Sequence, residues 1–488
     1  MKLRTLIDQV GHSAVANLRD VEVTGVTCDS RQVQPGHIFV ALQGQRQNGW
    51  DFAEDAIARG AIAVVAEELR GTNRGVCYIR VPDARLAFAE LAAVFHEHPA
   101  QKLRVVGITG TNGKTTVCYM IRDLLRFQGL MPGMIGTIQY EIGPRTIPAS
   151  RTTPEAGTLQ SLLAQMVNAG CRSVVMEVSS HALAQHRVAK IEFDVAVFTN
   201  LTRDHLDYHQ TVEQYYEAKA TLFRNLGVGR KKATAIINID CPWGRRLVVE
   251  TRASVEVITY GFTEEADVVA RDVCLSADGS SFIAATPWGA FPLTVPHLGR
   301  FNVGNALAAF AAGVAIGLSP EKMAGIFPSL QRPPGRLEEV ECTRGYRVFV
   351  DYAHTDDALK NVLVALRELT RGRIILVFGC GGNRDRTKRR PMGEVAATLA
   401  DFSVITTDNP RNESPDAIIE EIRQGFDGRS SYMVVPDRRE AIRVALDNAR
   451  AGDVVLIAGK GHETFQEFAN TSVPFDDRQV VKEILGGA

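Results

Sequence analysis

Short apolar runs and longer amphipathic segments alternate along most of the chain. Each run is five to seven residues long, and the segment after it is long enough to form a helix. Continuous apolar strands of this kind are typical of parallel sheets with helices on both faces, so we predict an α/β fold. The clearest runs are VVGIT (105–109), SVVMEV (173–178), DVAVFT (194–199), TAIINI (234–239), YRVFVD (346–351), RIILVFG (373–379), SVITT (403–407) and DVVLIAG (453–459).

Three domains are predicted along the chain, at residues 1–98, 99–332 and 333–488. The second and third contain the runs given above, and the segment QRPPG (331–335) between them is a stiff, non-helical joint. The first domain is predicted to be a small α/β unit. Its strand signals are weaker and lie at GVTCDSR (25–31), HIFVAL (37–42) and AIAVVA (61–66).

The composition and charge of the chain argue against several classes of protein. The chain has 488 residues with 55 basic and 56 acidic side chains, a net charge of −1, so a nucleic-acid-binding or membrane-surface protein is not indicated. The amino terminus lacks the apolar core of a secretory signal, and the apolar run Ala306–Leu318 is too short to span a membrane. We therefore expect a cytoplasmic protein and a monomer. The eight cysteines form no CxxC pair and are predicted to be reduced, buried thiols.

The strongest single motif is GITGTNGKTT (107–116), which joins an apolar run to a helical pattern. Glycines let a backbone wrap around an anion, and N–H groups at a helix start point at it. Lys114 would add a positive charge and Thr115 a hydroxyl for Mg²⁺, although Ile108 stands where the common phosphate loop has its first glycine. A turn that merely needs glycines would not explain a lysine followed by two threonines. The predicted phosphate-binding residues are Gly110, Thr111, Asn112, Gly113, Lys114, Thr115 and Thr116.

Possible metal ligands follow two of the predicted strands. Glu177 ends SVVMEV, where a carboxylate beside a nucleotide would hold Mg²⁺, although a satisfied turn residue is an equal alternative. His205 and His209 are four residues apart, but the zincin glutamate and a third ligand are missing, so zinc is not predicted. By composition, Lys219 is an ordinary solvated helix lysine.

The motifs taken together resemble the Mur ligase family. In order they are GTNGKTT, MEVSSH, TNLTRDHLDYH, YEAKATLF, GRFNVGNALAA, PPGRLE, DYAHTDDAL, GCGGNRDRTKR, DNPR and AGKGHE, and they span almost the whole chain. The resemblance implies a UDP-binding first domain, a central ATPase domain and a Rossmann-like last domain. It also implies an ATP-dependent ligase of peptidoglycan precursor synthesis, which joins an amino acid to the D-glutamyl γ-carboxylate of a UDP-muramyl dipeptide through an acyl phosphate.

The resemblance also assigns roles to residues. Thr115 and Glu177 would serve one Mg²⁺, and Glu177, His205 and a carbamylated Lys219 the region of a second, with Lys114 on the phosphates. Residues expected around the rest of ATP are Asn302, Asn305, Arg336, Asp351 and His354. For the two asparagines helix capping is an alternative. Residues expected around the UDP-muramyl dipeptide are Cys28, Ser30, Gln45, Arg46, Gln47, Thr152, Thr153, Ser179, Gln185 and Arg187.

The motif DNPR, Asp408, Asn409, Pro410 and Arg411, resembles that of family members that add meso-diaminopimelate. Diaminopimelate has one more carboxylate than lysine, and a guanidinium binds a carboxylate through two parallel hydrogen bonds. By resemblance, Arg384, Gly459 and Glu463 complete the pocket, and the other basic residues of 384–390 are expected to be mostly solvated.

Several alternatives remain open at this stage. One is a surface turn at DNPR, since Asn-Pro is a common turn signal. Others are a lysine-adding ligase, a folylpolyglutamate synthetase and a nucleotide-dependent switch protein without ligase activity.

Overall fold

The structure, a computed structural model, describes residues 1–44, 47–70, 75–428 and 431–486. Its first sheet has the order β1-β5-β4-β3-β2, parallel except for the β1–β5 pair. The three strands predicted in this part of the chain are confirmed, and β1 and β5 are additional. The elements are β1 Ala14–Ala16, β2 Gly25–Thr27, β3 His37–Val40, β4 Ala63–Ala66, β5 Cys77–Arg80, α1 Leu3–Ile7, α2 Ala53–Ala58 and α3 Ala84–Phe95.

The second sheet has eleven strands among the described residues, in the order β16-β15-β14-β13-β12-β11-β6-β10-β7-β8-β9. Its parallel centre contains the four predicted strands, here β6, β10, β11 and β12. The strands are β6 Arg104–Thr109, β7 Pro132–Ile135, β8 Gln139–Ile142, β9 Arg145–Pro148, β10 Ser173–Glu177, β11 Val195–Phe198, β12 Thr234–Asn238, β13 Glu256–Gly261, β14 Val268–Leu275, β15 Ser280–Thr286 and β16 Gly289–Val295.

Two antiparallel extensions of this sheet, β7–β9 and β14–β16, were not predicted. In β16 exposed and buried positions nearly alternate, because the strand has only one covered face. The helices around this sheet are α4 Lys114–Phe127, α5 Ala156–Asn168, α6 Ser180–Ala184, α7 Leu206–His209, α8 Val212–Arg224, α9 Pro242–Glu250, α10 Arg300–Ala315 and α11 Pro320–Ile326.

The third sheet has the order β17-β18-β22-β19-β20-β21 and is parallel except for β17. The four predicted strands are β18, β19, β20 and β22, and a separate hairpin, β23–β24, follows them. The elements are β17 Glu338–Val340, β18 Arg347–Asp351, β19 Ile374–Phe378, β20 Phe402–Ile405, β21 Ser431–Val434, β22 Val454–Ala458, β23 Phe465–Phe468, β24 Thr471–Pro474, α12 Asp356–Leu369, α13 Arg389–Leu399, α14 Pro415–Arg423, α15 Arg438–Asn448 and α16 Asp477–Leu485.

Helix α10 explains the long Ala/Gly-rich run. Its small side chains are buried for most of its length against α4 and the sheet, so it is a core helix. Within the described residues, none of the helices has the length and apolar character needed to cross a bilayer. All eight cysteines are free thiols, but Cys274 is exposed and Cys28, Cys241 and Cys342 are only half-buried, so the expectation that each is buried was wrong for these four.

Candidate active site

The phosphate loop lies between β6 and α4, at the carboxyl ends of the central parallel strands. Gly110 and Gly113 have φ of +145° and +88°, which favour glycine. A Cβ on Gly110 would lie 1.9 Å from Thr199 Oγ1, and one on Gly113 would lie 2.4 Å from Asn305 Oδ1. The loop is therefore packed tightly against its neighbours.

Lys114 turns back over this loop. Its Nζ donates to the carbonyl oxygens of Gly110 at 2.9 Å and Thr111 at 2.7 Å. Burial lowers the pKa of Lys114, and the charges of Glu177 and Asp204 act in the opposite direction. A bound anion would add a strong partner for this ammonium group.

Glu177 and Thr115 are in direct contact, as the sequence predicted for two residues of one site. Thr115 Oγ1 lies 3.0 Å from both carboxylate oxygens of Glu177, which also accepts from Thr137 N at 2.8 Å and Thr137 Oγ1 at 3.0 Å. Glu177 is only 1% exposed, and all these partners are neutral. A buried carboxylate beside a hydroxyl and a phosphate loop supplies the oxygen ligands that Mg²⁺ prefers, so these residues fit that ion.

Lys219 is a buried residue of the site, and its assignment as a solvated lysine was wrong. It is 1% exposed, and its Nζ donates to Gly110 O at 2.8 Å and lies 4.4 Å from the ring centroid of Tyr215. Burial, together with the charge of Lys114, lowers its pKa well below the ordinary value. Composition and spacing did not indicate this burial, because one lysine on an amphipathic helix carries no mark of the face it occupies; only the family resemblance assigned Lys219 to the site.

Three histidines converge beside Lys219. The ring of His181 lies 4.8 Å from that of His205 and 5.5 Å from that of His209, between centroids. His205 precedes α7 with φ of +56°, so it does not share a regular helix face with His209. Burial lowers the pKa of His205 to about 3, which leaves a neutral imidazole. Across the described residues, no group of three or more His, Cys, Asp or Glu side chains is arranged to hold a metal ion.

The last part of the chain contacts the phosphate loop and also the segment that follows β11. Arg336 Nη2 donates to Thr115 Oγ1 at 3.2 Å, and Asn112 Nδ2 donates to Asp357 Oδ2 at 2.8 Å. Arg203 pairs with Asp356 at 3.2 Å. Arg336 and Thr115, which were both predicted near ATP, are therefore in contact. Asp357 also contacts the loop, and the sequence did not predict this contact.

Asp351 and His354 lie behind Arg336. Asp351 accepts from Leu337 N and Ala353 N, both at 2.7 Å, and so supports the backbone next to Arg336. Burial lowers the pKa of His354 to about 4.

The two asparagines of α10 are buried at its start. Asn302 Nδ2 donates to Leu298 O at 2.8 Å, and Asn305 Nδ2 donates to Asn302 Oδ1 at 2.9 Å. Neither caps α10, whose N-cap residue is Gly299, so the capping alternative was wrong. Asn305 instead faces Gly113 of the phosphate loop.

One large cleft, about 2050 Å³, connects residues predicted for different substrates. Predicted residues that line it are Cys28, Ser30, Gln47, Gln185, Arg187, Arg384 and Arg411. Gln45 and Arg46 lie outside the described residues. Burial raises the pKa of the Cys28 thiol to about 12, so this thiol is uncharged where it lines the cleft.

Thr152, Thr153 and Ser179 connect this cleft to Glu177. Thr153 Oγ1 donates to Glu177 O at 2.8 Å, and Ser179 N donates to Thr153 Oγ1 at 3.1 Å. The hydroxyl of Thr152 lies 3.1 Å from that of Thr137, which in turn donates to Glu177. Arg187 Nη1 donates to Thr153 O at 2.8 Å, so the cleft wall and the phosphate loop share one network.

Arg411 and Arg384 both lie beside Gly381 and line the cleft. A Cβ on Gly381 would lie 3.1 Å from Arg411 Nη1 and 3.8 Å from Arg384 Cγ. Arg411 Nη1 donates to Gly382 O at 2.9 Å, and its Nε lies 2.6 Å from Glu467 Oε2. The turn is not a free surface turn, because Arg411 has φ of +51° and its N–H donates to Glu467 O.

The other residues predicted for this pocket are buried beside Arg411. Asp408 and Asn409 are 6% and 4% exposed, and Pro410 is buried with them. Asn409 Nδ2 donates to Glu463 Oε2 at 2.9 Å, and a Cβ on Gly459 would lie 3.2 Å from Asp408 Oδ2. Burial raises the pKa of Glu463, and Lys460 acts in the opposite direction.

The basic run 384–390 contains both exposed and buried side chains. Arg384, Arg386 and Arg390 are exposed, but Lys388 is buried and Arg389 is fully buried. Arg389 pairs with Glu413 at 2.9 Å and Glu421 at 3.0 Å. The expectation that most of the run is solvated therefore holds for three of the five basic residues. Lys388 and Arg389 are the exceptions, and carboxylates on the neighbouring loop and helix pair with Arg389.

Comparison with known proteins gives matches along the whole chain. Three family models match: "Mur ligase family, catalytic domain" at residues 22–96, "Mur ligase middle domain" at 108–313 and "Mur ligase, glutamate ligase domain" at 335–461. A UDP-N-acetylmuramoyl-L-alanyl-D-glutamate–2,6-diaminopimelate ligase from Geobacter metallireducens is 46% identical, over 99% of this chain and 98% of the relative. A protein of the same name from Bacillus cereus is 42% identical over 100% and 99%.

Solved structures of Mur ligases also match this chain. A structure of a UDP-N-acetylmuramoyl-L-alanyl-D-glutamate–2,6-diaminopimelate ligase matches with a TM-score of 0.70 and 34% identity, over 99% of this chain and 98% of that one. A MurF ligase from Thermotoga maritima in complex with ADP matches with a TM-score of 0.64, over 94% and 96%, and at 21% identity it shows the fold alone.

Proposed function

The chain belongs to the Mur ligase family, and we propose that it joins meso-2,6-diaminopimelate to UDP-N-acetylmuramoyl-L-alanyl-D-glutamate at the expense of ATP. It is an ATP-dependent, amide-forming ligase of peptidoglycan synthesis. The observation that most supports the named substrates is the shared cleft. It brings Gln185 and Arg187, next to the phosphate-loop network, into one space with Arg384 and Arg411.

Three domains, at residues 1–98, 99–332 and 333–488, are part of this proposal. Each of the three sheets falls within one of them. The first would hold the UDP-muramyl part, the second ATP, and the third the incoming amino acid.

The reaction begins with an electrostatic problem. An oxygen of the D-glutamyl γ-carboxylate must attack the γ-phosphorus of ATP, so two anions approach each other, and ADP leaves. Loop N–H groups and the ammonium of Lys114 would hold the phosphates and stabilise the charge that develops in the transition state. Thr115 and Glu177 would hold Mg²⁺, which when bound neutralises part of the same charge.

Lys219 is suited to carbamylation. Only a neutral amine can attack the carbon of CO₂, after which the nitrogen loses a proton and a carbamate anion is left. The burial that lowers the pKa of Lys219 supplies that neutral amine. The anion would then lie among Lys114, His205 and the proposed Mg²⁺ region, where a second ammonium group would be repelled.

The second half of the reaction forms the amide. The amine of diaminopimelate attacks the acyl carbon, phosphate leaves, and the nitrogen gives up a proton. Arg411 and Arg384 would hold the distal carboxylate that lysine lacks, and Asp408 and Glu463 an ammonium group. With lysine bound, Arg411 would be desolvated with no substrate carboxylate opposite, and sites of this kind reject such analogues by about 10⁴-fold.

Phosphate release from ATP tests this proposal. The assay contains the UDP-muramyl dipeptide and Mg²⁺, with meso-diaminopimelate or L-lysine added in turn. We expect release that depends on both the dipeptide and diaminopimelate. Release with lysine but not with diaminopimelate would show the lysine-adding ligase. Release that needs no amino acid would show a nucleotide-dependent switch.

A further inference from the structure

Lys460 is a fully buried cation behind the residues assigned to amino-acid binding, and no role was predicted for it from the sequence. It follows strand β22 and has a relative exposure of 0%. Its Nζ donates to Asn409 Oδ1 at 3.1 Å and to Glu463 Oε2 at 3.0 Å, and it lies 3.8 Å from Asp408 Oδ1. All three partners are pocket residues, so Lys460 acts on the pocket from behind.

In the group formed by Lys460, Asp408 and Glu463 the carboxylates outnumber the cations by one. Lys460 carries +1 while Asp408 and Glu463 together carry −2, so the buried group has a net charge of −1. Asp408 Oδ1 is buried and has no hydrogen-bond partner among the described residues. A buried carboxylate oxygen without a donor is costly, and an ammonium group would supply the missing donor. One ammonium group of the incoming amino acid would satisfy both the charge and the hydrogen bond.

Lys460 also fixes the orientation of Asn409. The amide oxygen of Asn409 accepts from Lys460 and from Glu467 N at 3.1 Å, which leaves its nitrogen to donate to Glu463. Glu467 is the residue that pairs with Arg411. The network thus joins the part of the pocket that would bind the ammonium group to the part that would bind the carboxylate.

We propose that Lys460 is a positioning residue for amino-acid recognition, which orients Asn409 and Glu463 and keeps exactly one negative charge available for one substrate ammonium group. This rests on the proposed function, because it concerns the amino-acid pocket of the same ligase. A purely structural lysine is the alternative, since a buried ion pair also holds loops together.

The test compares Lys460→Met, Lys460→Arg and a matched surface control, Lys482→Met on α16, in the full-length enzyme. For each we measure KM for diaminopimelate, KM for ATP, and the pH profile of kcat/KM for diaminopimelate. Lys460→Met should raise KM for diaminopimelate at least about tenfold and KM for ATP less than about twofold, because Asn409 and Glu463 lose the hydrogen-bond donor that orients them. Lys482→Met should behave as the unmodified enzyme.

The pH profile separates positioning from structure. The groups that face Glu463 are Lys460, Asp408, Asn409, Tyr352 and Arg438. Without the Lys460 charge Glu463 takes up a proton more readily, so the acid limb of the Lys460→Met profile should move to higher pH by roughly one unit. Lys460→Arg keeps the charge and should leave the limb near its original position.

Two results would overturn the proposal. One is an acid limb that stays in place in Lys460→Met, and the other is a parallel rise of both KM values. If thermal unfolding shows that Lys460→Met is unfolded, Lys460→Gln replaces it, and the same limb shift is required. If the unmodified enzyme releases phosphate with lysine and not with diaminopimelate, the proposed function is contradicted but the proposal for Lys460 is not. The same variants would then be measured with lysine as the substrate.

Discussion

The phosphate-loop region and the amino-acid pocket manage positive charge in opposite ways. In the first, the buried Lys219 and the half-buried Lys114 donate to backbone carbonyl oxygens and have lowered pKa values. In the second, Lys460 and Arg411 lie beside carboxylates. Neither ammonium group forms an ion pair with a carboxylate within the described part of the chain, and ATP would bring phosphate oxygens as their partners. The second is already nearly neutral, as suits a substrate that carries both charges.

The largest effect is expected from Lys219→Ala. It would remove the proposed carbamate anion and lower kcat by about 10³-fold, the size of effect seen when one charge-stabilising group is removed. Short-chain carboxylic acids should restore part of the activity, because their carboxylate can stand in for the carbamate. Rates measured with increasing acetate or formate check this.

The control for this experiment is Lys232→Ala, which changes an exposed lysine of the same part of the chain. It should keep full activity and show no response to added acid. Full activity of Lys219→Ala itself would remove the contrast between the two regions, because Lys219 would then be only a packed amine.

Arg411→Lys should produce the next largest effect, on the other region. Lysine cannot reproduce the two parallel hydrogen bonds of a guanidinium, so kcat/KM for diaminopimelate should fall by about 10²-fold. KM for ATP should change little. Steady-state kinetics with each substrate varied in turn separate the two constants, and Arg423→Lys, an exposed arginine on α14, is the control. An equal loss of ATP use would mean that Arg411 supports the fold.

The sequence predicted the two regions unequally well. The phosphate loop followed from the glycine spacing and Lys114, because backbone geometry there demands particular residues. For Glu177 the strand end left a metal ligand and a turn residue as equal alternatives, and only the family resemblance favoured the metal ligand. The burial of Lys219 followed from no residue pattern, since it depends on how α8 packs against the loop, and only the resemblance assigned Lys219 to the site. For Lys460 the sequence held only a weak indication of a functional role, namely its position just after a buried strand.

The fold shows the same limit. The parallel strands were predicted because they are continuously apolar, whereas β14–β16 and the hairpin β23–β24 are partly exposed and have no such run. Glu467 lies on that hairpin, so its pairing with Arg411 could not be found from the sequence.

A smaller effect is expected from Glu467→Gln. The amide oxygen can still accept from Arg411 Nε, so the guanidinium keeps its orientation while the competing anion is removed. Since Glu467 is 38% exposed, its charge is screened, and we expect KM for diaminopimelate to fall only about threefold. A rise in that KM would show instead that the negative charge holds Arg411 in place.

A last effect, on stability and not on catalysis, concerns the protein in acid. The pKa of His354 is about 4 in the folded protein and about 6.5 when unfolded, so the unfolded state binds more protons between these values. Stability is then full above pH 6.5 and falls as the pH drops towards 4, by about 2 kcal/mol for this residue. In His354→Gln, urea unfolding at pH 7 and pH 4.5 should show a smaller loss. An equal loss in both proteins would contradict this.

The central claim is that Arg411 and its neighbours select the amino acid by its second carboxylate. The most direct measurement is a competition between equal concentrations of meso-diaminopimelate and L-lysine, with ATP and the UDP-muramyl dipeptide, in which mass spectrometry identifies the amide product. We predict that almost all of the product contains diaminopimelate and that Arg411→Lys increases the lysine fraction. A product that contains mainly lysine, or the same product ratio in both proteins, would contradict the account.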